Sequence, residues 1–155
     1  MIKISDINSL ALGASFLSSG GGGDSLVEAS LIKELIEKNG ELNLINISSL
    51  SNNDLIMPTA FIGSIVGKEK LLNKRAFNSL LYAFKKYYGK LPAVIMPGEI
   101  GGANGLFPLI MGAITGIPIL DGDLLGRSFP EVHMASTNVI GSVSCAPTFL
   151  VNDKG

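Results

Sequence analysis

The order of apolar and polar positions divides the chain into alternating helices and strands. Ser5-Asp6 precedes Ile7, Leu10, Leu12 and Phe16, a spacing that predicts a short first helix ending at Ser18-Ser19 and the four glycines 20 to 23. Ser25 and Glu28 have capping-box spacing, and Leu26, Ala29, Leu31, Ile32, Leu35 and Ile36 carry a helical stripe to Asn39-Gly40. Glu41 to Ile47 alternates as a strand with Leu42, Leu44 and Ile47 inward, and Ser48 to Asn53 makes a polar turn. A second strand runs from Asp54 to Ile62, where Pro58 implies an edge, a bulge or a break. Gly63 to Gly67 then reads as a strand-to-helix loop, and Lys68 to Tyr88 as the longest helix, ended by Gly89.

Pro92 to Met96 is short and continuously apolar, as a strand covered on both faces should be. Ala103 to Thr115 follows as a buried helix and Ile117 to Leu120 as another buried strand. This alternation predicts a single α/β domain, layered α/β/α, around a mostly parallel or mixed sheet. In such sheets ligands gather beyond the carboxyl ends of the strands, which is where Gly98 to Asn104 and Asp121 to Arg127 should lie. Asn138 to Val151 reads as one or two further strands, and Val151 to Gly155 as a turn signature without a partner strand.

The 155 residues, 46% of them hydrophobic, can bury one sizeable core. A net charge of −1 from 12 basic and 13 acidic residues leaves no electrostatic footprint for nucleic acid and no polybasic signal for anionic lipid. The local excess of Lys and Arg from Lys68 to Lys90 alternates with apolar residues, as on the solvated face of a helix. A single cysteine excludes an internal disulfide framework, and the polar start lacks a signal-peptide core, so a cytoplasmic setting is expected. Ile100 to Leu120 carries no charge and is long enough to span a bilayer, but Pro108, Pro118 and five glycines break it into loop, helix and strand.

Three segments hold candidate chemistry. The glycine run with Gly21, Gly22, Gly23 and Asp24 precedes a helix, so its N–H groups could hold an anion; equally, it could be a helix connection with Asp24 or Ser25 as N-cap. It lacks the lysine and hydroxyl ending of a P-loop. In Pro97-Gly-Glu-Ile-Gly-Gly-Ala-Asn-Gly105, Glu99 follows a buried strand where a carboxylate could act as general base or acid, and Asn104 could bind a carbonyl. The alternative makes Glu99 an acceptor for loop N–H groups and Asn104 an N-cap. Asp121 and Asp123 could bind a hard metal or do acid–base work, or one could cap Leu124-Leu125 while the other pairs with Arg127. Asp123 lies further out and is the better functional candidate. Arg127 offers a planar fork for a substrate carboxylate or for Glu131. His133, the sole histidine, cannot build a common zinc site without Cys145 or carboxylates, and Cys145 reads as a core residue.

Ser19 to Asp24, Pro97 to Leu106 and Leu120-Asp-Gly-Asp-Leu-Leu-Gly-Arg-Ser-Phe-Pro-Glu131 together resemble the S-methyl thiohydantoin desulfurase-like family, with the third motif the most specific. The resemblance extends to Asp54-Leu-Ile-Met-Pro58, Glu69-Lys70 and Asn152 to Gly155. Members are typically longer, an α/β domain followed by a mainly β domain, so the resemblance makes this sequence the first of the two. It implies action on a hydantoin-type ring with hydrolytic loss of a sulfur substituent, and names no cofactor. On matching positions it implies that Gly21, Gly22, Gly23, Asp24, Glu99, Asn104, Asp123, Arg127 and Glu131 line the site. The catalytic candidates among them are Glu99 or Asp123 to activate water and Arg127, or the glycine loop, to anchor substrate. Partners would be a hydantoin-like small molecule and further copies of the chain or a hydantoinase- or oxoprolinase-type protein, to which it could alternatively be a non-catalytic subunit. His133 stands where a glutamine is expected, and Cys145 where a small residue is usual.

Overall fold

Among the described residues four parallel strands carry the fold, in the order β1-β4-β3-β2. They are β1 (Leu44–Ile45), β2 (Ile56–Thr59), β3 (Val94–Pro97) and β4 (Ile119–Leu120). The computed structural model describes residues 1–62, 73–141, 146–152 and 154. Helices α1 (Ile7–Ser18) and α2 (Leu26–Asn39) precede the sheet, α3 (Lys74–Tyr88) links β2 to β3, and α4 (Gly102–Thr115) links β3 to β4. A short α5 (Ser136–Ile140) follows.

Register explains the burial. Val94 and Met96 face one side of β3, Ile95 the other, because side chains alternate along a strand. Ile95 joins Met57 and Ile119 in the main core, with Ile7, Ile32, Phe77, Phe84, Phe107 and Ile110 from the four long helices. The successive strands β2, β3 and β4 are added in one direction across the sheet, so right-handed crossovers put α3 and α4 on the same side. On the opposite side Val94, Met96 and Leu120 form a second, small cluster with Ile45, Leu50, Ile56 and Leu124. Residues 46 to 55 join β1 to β2 at opposite edges of the sheet and carry Leu50 into this cluster.

Pro58 sits on the edge strand β2, where a missing N–H breaks no ladder. Residues 63 to 72, which hold the expected strand-to-helix loop and first turn of the longest helix, lie outside the described residues, as does Cys145. Within them, Asn73 caps α3 by accepting the Ala76 N–H at 2.9 Å, and Gly89 ends it at φ +78°.

Several expectations change. Leu12 and Phe16 do not join the core: α1 buries Ile7, Ala11, Ala14 and Ser18, leaving Leu12 73% and Phe16 83% exposed. Small residues face inward here so that α1 can approach α2 and α4. The capping box at Ser25 and Glu28 does not form, since the Ser25 hydroxyl lies 2.6 Å from that of Ser15 and donates to the Ala11 carbonyl. Ile47 turns outward in a 3-10 turn, while Leu42 is buried through an antiparallel bridge to Ile2. The expected strands after Asn138 do not appear among the described residues: 138 to 140 belong to α5, and 146 to 151 are not extended into a sheet. Among the described residues no helix is long and apolar enough to cross a membrane.

Candidate functional site

Loops leaving three adjacent strands converge beyond the carboxyl edge of the sheet. Phe61 follows β2, Glu99 follows β3 and Asp123 follows β4. Glu99 is 8% and Asn104 6% exposed. Asn104, in the first turn of α4, joins two of the loops. Its Oδ1 accepts the Phe61 N–H at 2.7 Å, and its Nδ2 donates to Glu99 Oε1 at 2.6 Å and, longer, to the Phe61 carbonyl at 3.4 Å. Glu99 Oε2 accepts the Phe129 N–H at 2.9 Å. Asp123 Oδ2 accepts the Ile100 N–H at 2.9 Å, and both its oxygens lie 2.8 Å from the Gly126 nitrogen. The Ile100–Asp123 and Phe129–Glu99 bonds thus tie the two ends of residues 123 to 129 to the β3–α4 loop, while the Gly126 bonds close the turn within that segment.

The glycine run meets the same place from the other side. Its carbonyls rather than its N–H groups are presented: Gly23 accepts from Ala103 at 3.2 Å and Gly22 from Asn104 at 3.3 Å, so the loop caps α4. The Gly21 N–H is taken by the Ser18 carbonyl at 2.8 Å and that of Gly20 by the Ser18 hydroxyl at 3.2 Å. Of the two readings of this loop, these bonds fit the helix connection. Asp24 accepts the Leu26 N–H at 2.9 Å, as an N-terminal cap of α2.

Close approach accounts for the glycines. A Cβ on Gly102, at φ +62°, would lie 2.4 Å from the Gly23 carbonyl oxygen, and one on Gly22 2.3 Å from that of Gly101. A Cβ on Gly101 would lie 2.1 Å from Ser128 Oγ. Ser128 is 9% exposed and seated among Gly21, Gly22 and Gly101, with its N–H 3.3 Å from the Leu17 carbonyl and its hydroxyl without a hydrogen-bond partner.

The outer candidates do not join the cluster. Asp121 is exposed and engages β1 through its backbone N–H to Ile45. Arg127 sends its Nε to the Ser128 carbonyl at 3.2 Å, neither to Asp123 nor to Glu131. Glu131 pairs instead with His133 Nδ1 at 3.1 Å, with both side chains well exposed. Among the described residues no three His, Cys, Asp or Glu side chains lie close enough to hold a metal ion. Sequence reasoning missed Ser128, Phe61, Ile100, Gly126 and Phe129. The last four contribute backbone groups, which no side-chain pattern reveals; the glycines facing Ser128 were the one available signal.

Comparison with known proteins supports the fold and gives the family. A family model described as S-Me-THD-like, N-terminal domain, matches residues 5–155. The chain belongs to that family. No curated protein sequence matches this S-Me-THD-like domain. A crystal structure of a protein from Chromobacterium violaceum is similar in fold, with a TM-score of 0.66 and 20% identity over 90% of this chain. The match spans 39% of the length of that solved chain.

Proposed function

We propose that this domain supplies the acid–base floor of a hydrolase acting on a hydantoin-type ring. The observation that carries the reading is the buried Glu99–Asn104 pair, standing with Asp123 where loops from three strands meet. Glu99 takes a proton from water as the oxygen attacks the ring carbon bearing the sulfur substituent. The C–S bond then breaks, the thiol leaves with the proton held by Glu99, the second water proton passes to the ring nitrogen, and the ring gains a carbonyl. Asn104 spends its amide on Glu99 and the Phe61 backbone, so it positions the base rather than polarising the ring. Arg127, exposed beside the cluster, is the group free to turn toward an anionic substituent. A single cysteine supports a cytoplasmic setting for this chemistry.

A second reading, a non-catalytic subunit of a hydantoinase- or oxoprolinase-type assembly, draws support from Leu12 and Phe16, apolar, exposed and one turn apart on α1. One experiment separates the two. S-methyl thiohydantoin turnover, read as hydantoin and thiol released, is measured for the polypeptide expressed from its gene and for Glu99→Asp. The first reading expects turnover that falls at least about a hundredfold in the variant, the scale of a general base; the second expects none without a partner protein, and unchanged turnover removes Glu99 as the base.

A further inference from the structure

The structure offers other features outside the cluster, among them the aromatic group of Phe84, Tyr87, Tyr88 and Phe149, and a shallow hollow lined by Ser79, Leu80, Ala83, Leu150, Val151 and Asn152. Neither gathers a buried polar group. Ser128 does.

We infer that residues 124 to 129 form a strap that opens and closes over Glu99 and Asp123, with Ser128 as the plug of a glycine-lined notch. The inference rests on the functional reading above and gives that site its gate. In the closed state the strap covers both carboxylates with its own N–H groups: Phe129 occupies Glu99 Oε2, and Gly126 lies against both oxygens of Asp123. A ligand can reach those oxygens only after the N–H groups leave. The notch is formed by Gly21, Gly22 and Gly101, of which the last two would each place a Cβ within 3.0 Å of Ser128 Oγ.

The orphaned hydroxyl sets the balance. A hydroxyl sealed from water without a partner loses its hydration and regains nothing, so the closed state is raised in free energy relative to an open one in which Ser128 meets solvent. The bonds to Glu99, Asp123 and the Leu17 carbonyl oppose opening. Opening breaks these few bonds and relieves the orphan, so it costs less than unfolding the domain.

Hydrogen exchange of the intact chain tests this. The Gly126 and Phe129 amides should exchange together, at least about a hundredfold faster than Ile110 and Met111 in α4, with little dependence on denaturant. Ser128→Ala removes the orphan and should slow exchange at these two amides by about tenfold while leaving the α4 amides unchanged. Exchange of the strap only with global unfolding overturns the inference, as does a Ser128→Ala strap that opens as fast as before. For the link to catalysis, Gly21→Cys with Ser128→Cys, in a Cys145→Ser background, places the two Cβ atoms near bridging distance, 3.2 Å before relaxation. Oxidised, this protein should turn over S-methyl thiohydantoin at least tenfold more slowly than when reduced; equal rates overturn the gate. If the unaltered protein turns over no S-methyl thiohydantoin, the functional reading fails, and the exchange rates still decide whether the strap opens.

Discussion

The β3–α4 interior and the strap over its carboxyl end are built on opposite principles. From Val94 to Pro97 and from Gly102 to Gly112 every residue is buried, and most of the side chains are apolar. Burial there is non-directional, so its stabilisation depends on shape and area. The strap is held by directed bonds from two carboxylates, each satisfied in one geometry. An apolar interior tolerates small adjustments; a polar knot of this kind is either closed or broken, which is the behaviour required of a gate.

The contrast can be broken most forcefully from the apolar side. Phe77 is fully buried and packs edge-on to Phe107, with ring centroids 5.6 Å apart. Phe77→Ala should cost about 4 kcal/mol in denaturant unfolding through loss of burial and the cavity left behind. At the junction of the two regions, Gly102→Ala must place a Cβ against the Gly23 carbonyl from a left-handed backbone, neither of which can yield cheaply. A loss of about 3 kcal/mol is expected, and a loss under about 0.5 would show that the glycine loop and α4 separate easily.

Glu99→Gln sharpens the comparison from the polar side. Both Glu99 oxygens accept from N–H groups, one from Asn104 and one from Phe129, whereas an amide offers one oxygen and one NH2. Flipping Asn104 to compensate would sacrifice its bond from the Phe61 N–H. The variant should therefore lose about 2 kcal/mol, readable by thermal or urea unfolding, so it is not a neutral test of catalysis. The smallest effect lies far from both regions. Backbone N–H groups from Lys3 to Asp6 and from Ser51 to Asp54 hold those carboxyls below the ordinary value of 3.8. A depressed folded value means that their contribution is present above the unfolded value and disappears as pH falls through the folded one. Asp54→Asn should make the loss of stability below about pH 4 slightly shallower, as followed by urea midpoints across that range.

What was legible in the sequence follows the same division. The buried strands around Val94 and Ile119, the α2 stripe through Ile32 and Ile36, and the edge position of Pro58 are periodic or local signals and were readable. Leu12 and Phe16 misled because composition marks a residue as apolar without saying which face of α1 the neighbours approach. The tail misled because apolar residues such as Val139 and Ile140 suit a strand, yet they turn outward in α5. At the site, the meeting of Glu99, Asn104 and Asp123 followed from their places after successive strands. Their partners did not, because Phe61, Ile100, Gly126 and Phe129 act through backbone N–H groups. The glycine run was legible as either an anion cradle or a helix connection; that it packs against α4 and offers carbonyls there was not, because those contacts are made by backbone alone.

Titration of the isotope-labelled chain with hydantoin, followed through backbone amide resonances, tests the site most directly. Binding at the carboxylates displaces the N–H groups now bonded to them, so the largest shifts are predicted at Ile100, Gly126 and Phe129. Shifts confined to Ser79, Leu80 and Leu150, or none at millimolar ligand, would contradict a hydantoin site at Glu99 and Asp123.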